Sequence, residues 1–560
     1  MVLSNLPNLP GDFPEKTLAA TAAASALVSE TVRDAANKTV RQVKYVRHQV
    51  RSQVRQVSRQ LWSRIPERFR PQFDRLGIVE RRWQQKCVLA GILLATAAII
   101  VTLSFFAPWI SGIVIILGFI LGYSVLISIA MLHRKRQAQK QAAEAALLPP
   151  DIPLLHDWPR ITVLVPAHNE AAVIDGTAAR ILALTYPNVD LWIIDDRSTD
   201  ATPAVLAAFQ AKHPEGHRLN VYYRQPEDTP GKSAVLNEAL DYTEGELVAV
   251  FDADAQMPPD FLQQLLPFIT DPDVGGVQAR KVMYNAETNW LTRCQHYEYA
   301  MDAYFQSGRD TIQGAVEFRG NGQLVKREAV LDVGGWNEQS VTDDLDLSTR
   351  FHLGGWDVRF ANTVCVAEEA ITAFKPLLKQ RLRWAEGSFT RYLEYAGYMW
   401  LSPYAAFRAK LDMIAYLAQF LFPIWVLADY VFLGLQLALP KGAHLAATAT
   451  TQLAPQLTAP VLSLAPILGP LQHSHALASL LILPLLGSFF LTMLFVAIVQ
   501  YIGLPRLQAF GWAIVTSLYL TVVWVTVAIQ VVVKILVQPN TPTAWIKTEH
   551  GHSSPLHPAV

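Results

Sequence analysis

A chain of 560 residues is too long for one ordinary domain, and 51% hydrophobic residues with a mean hydropathy of +0.21 point to a membrane protein. Its 47 basic and 47 acidic residues cancel to a formal net charge of zero, which gives no case for a nucleic-acid partner. The three cysteines, Cys87, Cys294 and Cys365, lack metal-ligand spacing and make no disulfide framework, so they read as buried thiols in a reducing compartment.

No signal peptide is expected, because the first 25 residues lack a basic region followed by an apolar one. Residues 1–86 form a basic N-terminal region, partly disordered. Its Arg residues crowd together from Arg41 to Arg82, just before the first apolar span. Residues 25–62 read either as a long basic helix on anionic lipid or as a solvated tail.

A membrane-crossing helix needs roughly twenty apolar residues. The stretch 87–132 has room for two, with Pro108 and Ser111-Gly112 at the turn. Both of its flanks are basic, through the Arg-rich region before and His133-Arg134-Lys135-Arg136 after. By the positive-inside rule both flanks, and the domain that follows, are expected to be cytoplasmic.

Residues 139–410 are polar enough for a cytoplasmic domain. Arg160–Pro166, Leu191–Asp196 and Leu219–Tyr223 read as parallel strands, with helical Ala/Leu segments at 170–184 and 201–212 between them. This alternation predicts an α/β fold with a doubly wound sheet. Beyond Leu411 the apolar character returns, and 411–538 is expected to hold three or four spans. Three lie at about 412–438, 479–503 and 510–537, and 453–471, with four prolines, is a fourth span, a re-entrant piece or an outer loop. Residues 539–560 form a C-terminal tail.

The most informative residues follow another apolar run, Glu246–Val250. Phe251-Asp252-Ala253-Asp254-Ala255-Gln256 puts two carboxylates where a buried strand ends, and ligands bind at the carboxyl ends of strands in open α/β sheets. Asp252 and Asp254, at i and i+2 on extended chain, point the same way and can hold a hard divalent cation, Mg²⁺ or Mn²⁺, with phosphate oxygens.

Four further groups complete the constellation. Asp195-Asp196 end the second predicted strand, where a carboxylate can accept from a uracil imide N–H; Ser198, Thr199 and Asp200 beside them also suit a helix N-cap. Pro230-Gly231-Lys232 precedes a helix that includes Asn237. Lys232 at the helix start suits a diphosphate, although Pro230-Gly231 equally makes a plain turn. Thr342-Asp343-Asp344 reads as a helix start, and one of its aspartates can serve as general base toward an acceptor hydroxyl. Gln380, Arg383 and Trp384 share one face of an interfacial helix over 374–400. There Arg383 can bridge diphosphate oxygens and Trp384 can offer a flat face to the acceptor.

In combination these motifs, over about 159–400, resemble the family 2 glycosyltransferases, which include cellulose, hyaluronan and chitin synthases. The resemblance implies a GT-A fold, here a mixed sheet embedded between N- and C-terminal transmembrane helices, with a UDP-sugar donor and inversion at the anomeric carbon. It implies donor-binding roles for Asp195, Asp196, Lys232, Asn237 and Asp252, and metal binding by Asp252 and Asp254. It makes Asp344, with Asp343 beside it, the base, and Gln380, Arg383 and Trp384 the diphosphate and acceptor motif.

The chain departs from processive members in Thr342-Asp343-Asp344, in the loop Phe318-Arg319-Gly320-Asn321-Gly322-Gln323, and in carrying only about twenty residues after the last span. A closer likeness, in Phe251–Gln256, Gly334-Gly335-Trp336-Asn337-Glu338, Thr342–Leu347 and Gln380–Gly387, is to the cyanobacterial β-monoglucosyldiacylglycerol synthases. It implies UDP-glucose as donor and diacylglycerol, held in the lipid bilayer, as acceptor. The tail Pro542–His550 resembles a loop that covers the donor site in relatives. That role requires an even number of spans after the catalytic domain and makes 453–471 a membrane segment. The alternative reading is a processive β-glycan synthase, which needs a polar channel through the spans. A catalytically silent scaffold is disfavoured, because every acid the chemistry needs is present.

Overall fold

The computed structural model describes residues 83–95, 98, 124–132, 158–417 and 487–537. Expectations for most of 1–86, for the turn between the first two spans, for 418–438, for 453–471 and for the tail 539–560 lie outside these residues. Everything below belongs to the unit formed by residues 70–270 and 274–560.

At its centre is a seven-stranded mixed sheet. The strands are β1 (Ile161–Ala167), β2 (Val189–Asp195), β3 (Leu219–Tyr223), β4 (Leu247–Val250), β5 (Val274–Met283), β6 (Gln323–Lys326) and β7 (Asp357–Glu368), in the order β3-β2-β1-β4-β6-β5-β7. Pairs β1–β2, β2–β3 and β1–β4 are parallel, β6 runs antiparallel to β4 and β5, and β5–β7 is parallel again. The order leaves β1 in opposite directions, toward β2 and toward β4. This is the switch point at which open α/β sheets form a crevice beyond their carboxyl ends.

The central strands are near-continuous hydrophobic runs because both of their faces are covered. Alternate residues point to opposite faces. Ile161, Val163 and Val165 of β1 therefore pack on α1 (Ile174–Leu182) and α4 (Phe261–Ile269), whereas Leu164, Val248 and Val250 pack with Val235 and Leu236 of α3 (Lys232–Tyr242). Helix α2 (Thr202–Lys212) connects β2 to β3. The strands read from sequence thus stand within one or two residues of their expected limits, and the sheet is mixed, as expected.

Four further helices complete the domain: α5 (Trp290–Thr311), α6 (Arg327–Asp332), α7 (Asp343–Leu353) and α8 (Phe374–Leu401). A β-carbon on Gly387 of α8 would lie 2.4 Å from Thr342 Cγ2, so glycine there lets α8 approach the start of α7. After the domain come an apolar helix Gly487–Tyr501 and the 32-residue α9 (Arg506–Val537), which is long and apolar enough to cross a membrane. They lie where spans 479–503 and 510–537 were expected. One stripe of α9, including Leu520, Val523, Val527 and Val531, packs in a common core with Leu291 of α5 and Leu377, Phe389 and Leu393 of α8.

Candidate active site

The carboxyl ends of β1, β2 and β4 open into a cleft of about 490 Å³. Of the residues predicted from sequence, Asp196, Lys232, Asp252, Asp254, Asp343, Asp344, Gln380, Arg383 and Trp384 all line it. They come from five separate stretches of chain, brought together by the sheet's switch point and by the packing of α7 on α8.

Asp195 and Asp196 part company at the end of β2, because successive side chains of extended chain turn to opposite sides. Asp195 is buried behind the cleft and accepts a hydrogen bond from the Ser198 amide at 3.3 Å. Asp196 reaches the cleft. Its Oδ1 accepts from Arg224 Nη1 at 2.6 Å and Arg197 Nε at 2.9 Å, and its Oδ2 from the Gly231 amide at 2.9 Å. Burial alone would raise its pKa, but Arg197, the Gly231 amide and Arg224 outweigh that and hold the carboxyl below its ordinary value. An ionised carboxylate has about four acceptor positions, and three are taken, which leaves one for a ligand N–H.

Lys232, the first residue of α3, extends Nζ to within 2.6 Å of Asp252 Oδ1. Burial would pull its pKa down, but the carboxylates of Asp252, Asp343 and Asp344 hold it above the ordinary lysine value. The Asp252 amide donates to Asn321 Oδ1 at 3.3 Å, and Asp254 Oδ2 accepts from the Glu369 amide at 3.3 Å. The loop after Phe318 thus holds the backbone at Asp252, and the end of β7 holds the side chain of Asp254. Gly322 in that loop has φ +70°, and a β-carbon there would lie 2.6 Å from Val366 Cγ1, so the tight return to β6 requires glycine.

Asp343 and Asp344 open α7, where the helix dipole favours negative charge. Thr342 stands at the N-cap position, but its side chain makes no capping hydrogen bond. Burial first, and then the neighbouring Asp343 carboxylate, push the Asp344 pKa up to about 6 against the pull of Lys232. Arg383 faces the same acids. Burial lowers its pKa, while Asp344, Asp343 and Asp252 act in the opposite direction. Trp384 lies beside two cations, with Arg381 Cζ 4.3 Å and Lys281 Nζ 5.7 Å from its ring centroid.

Asn237 lies elsewhere. Its Nδ2 donates to the Trp336 carbonyl at 2.8 Å and to Glu338 Oε1 at 3.0 Å, and its Oδ1 accepts from the Trp336 amide at 2.7 Å. The side chain fastens the Gly334–Glu338 turn to α3 and does not line the cleft.

Sequence reasoning did not single out several residues that do line it: His168 and Glu170 after β1, Lys281 on β5, Tyr299 on α5, Arg319, and Glu368-Glu369 at the end of β7. Lys281 Nζ is ion-paired with Glu368 Oε2 at 2.7 Å, and Tyr299 donates to Glu368 Oε1 at 2.6 Å. The far wall includes Tyr416 and Trp524, the latter on α9.

Among the described residues no three His, Cys, Asp or Glu side chains converge as a ready metal cage. The pair Asp252 and Asp254 still fits a hard cation, since Mg²⁺ is commonly held by one or two carboxylates plus phosphate oxygens and water.

Residues 159–387 match the family described as "Glycosyltransferase like family 2". A β-monoglucosyldiacylglycerol synthase of Synechocystis sp. is 42% identical over 275 residues, 49% of this chain and 57% of that one. A synthase of the same name from Nostoc sp. is 45% identical over 239 residues, 42% of this chain and 50% of that one. The aligned part thus spans about half the length of these curated relatives. A solved mannosyltransferase from Pyrobaculum calidifontis, in complex with GDP-Man and Mn²⁺, is 23% identical with a TM-score of 0.43, covering 65% of this chain and 99% of its own.

Proposed function

We propose that the protein, whose residues 159–387 match the family described as "Glycosyltransferase like family 2", transfers glucose, with inversion, from UDP-glucose to the hydroxyl of 1,2-diacylglycerol. The observation that carries this reading is the extent of one cleft. It holds the acidic residues, Lys232, Arg383 and Trp384, and it continues to Trp524 on the apolar helix α9. The names and identities of the cyanobacterial relatives support glucose as the sugar transferred and diacylglycerol as the acceptor.

In this reading the domain has a GT-A fold, with Asp196 receiving the uracil N–H at its remaining acceptor position. Lys232 and Arg383 face the diphosphate, where their charges stabilise the negative charge that develops on departing UDP. A divalent cation, Mg²⁺ or Mn²⁺, held by Asp252 and Asp254 would add Lewis-acid stabilisation of the same charge. Asp344, ionised above about pH 6, takes the proton of the acceptor hydroxyl. The hydroxyl oxygen forms its bond to the anomeric carbon as the bond to the UDP oxygen breaks on the opposite side, so one base and one step suffice.

We place the acceptor at the interface, with its acyl chains in lipid and its hydroxyl between Asp344 and Trp384. The basic flanks before 87 and after 132 support an integral membrane protein with this domain on the cytoplasmic side. Two charges near the apolar segments also turn inward to the domain. Asp412 Oδ2 accepts from Arg309 Nε at 2.7 Å, and Lys534 is paired with Glu386. Neither is available to line a sugar channel, which favours one transfer to a lipid over export of a polymer. Incubating membranes with labelled UDP-glucose and partitioning the product between chloroform and insoluble polymer tests the reading.

A further inference from the structure

Glu298, in the middle of α5, is buried where α5, α8 and α9 meet. Three donors converge on its carboxylate. Oε2 accepts from Arg381 Nη2 at 2.8 Å and from the Tyr519 hydroxyl at 2.9 Å, and Oε1 accepts from Trp524 Nε1 at 3.2 Å. Two of the donors belong to α9, a helix whose sequence is otherwise almost wholly apolar. The third, Arg381, is the cation stacked 4.3 Å from the Trp384 ring centroid.

A buried ion pair of this kind is weak evidence for stability, because apolar residues of similar volume often serve at least as well. It does fix geometry. With Glu298 in place, the guanidinium of Arg381 is held at one end by the carboxylate and presents its plane to Trp384. Without it, a buried cation would lose its counter-charge and turn toward another carboxylate, which releases the indole.

We propose that Glu298 is a positioning residue for the acceptor: through Arg381 it sets the face that Trp384 presents, and through Tyr519 and Trp524 it ties that face to the helix that enters the bilayer. The acceptor site is then built jointly by the catalytic domain and α9. The inference rests on Trp384 facing the acceptor, as in the reading above.

The test compares wild type, Glu298→Gln and Tyr519→Phe as full chains in native membranes, with UDP-glucose and added diacylglycerol. Hydrogen bonds to charged groups contribute about 1.5–3 kcal/mol, so the acceptor KM is expected to rise about tenfold or more in Glu298→Gln. The milder Tyr519→Phe loses one neutral donor, and about fivefold is expected from a contribution near 1 kcal/mol. The donor KM is expected to stay unchanged in both. If Glu298 acts through Trp384, the effect of Glu298→Gln shrinks in a Trp384→Phe background, because residues acting through one another are not additive.

An unchanged acceptor KM in both variants overturns the inference, as does additivity with Trp384→Phe. Should Glu298→Gln fail to fold, Tyr519→Phe decides the matter alone. A wild-type enzyme that ignores diacylglycerol contradicts the lipid reading instead. The same KM comparison is then made with the acceptor that wild type does use.

Discussion

Lys232 Nζ and Asp252 Oδ1 stand 2.6 Å apart in the lining of the cleft, a cation resting on one half of the aspartate pair that is proposed to hold a metal. The two cannot act independently. A metal approaching alone must compete with the ammonium for Asp252, whereas a donor diphosphate gives Lys232 a second set of oxygens. Metal and UDP are therefore expected to bind together better than either binds alone. Mn²⁺ titrations followed by paramagnetic resonance should give tighter binding with UDP present. Chelation should abolish turnover, and added Mg²⁺ or Mn²⁺ should restore it. Activity that survives exhaustive chelation would remove the metal from the mechanism.

Asp344 supplies the pH dependence. Its carboxyl titrates near 6 in the folded chain, above the ordinary aspartate value, because of burial and the charge of Asp343. A base must be ionised to work, so kcat/KM is expected to fall as pH drops through about 6. Replacing Asp344 by Asn should cost roughly 10²–10⁴ in turnover and leave UDP binding in place. The sign for stability is opposite to that of a paired carboxylate. The folded chain holds the proton at pH values where the unfolded chain has lost it, so stability falls as pH rises toward 6 and the loss persists above it. The Asp344→Asn variant should accordingly melt higher than wild type at pH 7.5 and show no gain at pH 4. Wild-type turnover in that variant would transfer the role to Asp343.

Asn237 is expected to behave as a structural residue. Asn237→Ala removes all three bonds to Trp336 and Glu338. It should cost about 1–3 kcal/mol in denaturant unfolding, with an unchanged donor KM. A raised donor KM at unchanged stability would return Asn237 to the donor site.

Sequence reading located the central strands because they are buried on both faces. Leu247–Val250 is a short, unbroken apolar run that stops at Asp252, as a strand buried on both faces does. It located Asp252 and Asp344 because each closes or opens an element at the same end of the sheet, and Arg383 because it shares one helix face with Gln380 and Trp384. It could not separate Asp195 from Asp196, since only the pleat decides which one faces the ligand. It grouped Asn237 with Lys232, yet five residues along a helix turn the side chain by roughly 140°, away from the cleft. Lys281 and Glu368 were passed over because β5 and β7 lie beyond the antiparallel β6, where chain order no longer gives spatial order. Their signal was present all the same. Arg280-Lys281 and Glu368-Glu369 are charged pairs that follow apolar runs, like the aspartates that were found.

The identity of the product tests the central claim most directly. Membranes containing the full chain, given labelled UDP-glucose and diacylglycerol, should yield label in a chloroform-soluble, alkali-labile lipid bearing one glucose in β-linkage. Label in an insoluble polymer that a β-glucanase releases would contradict the account.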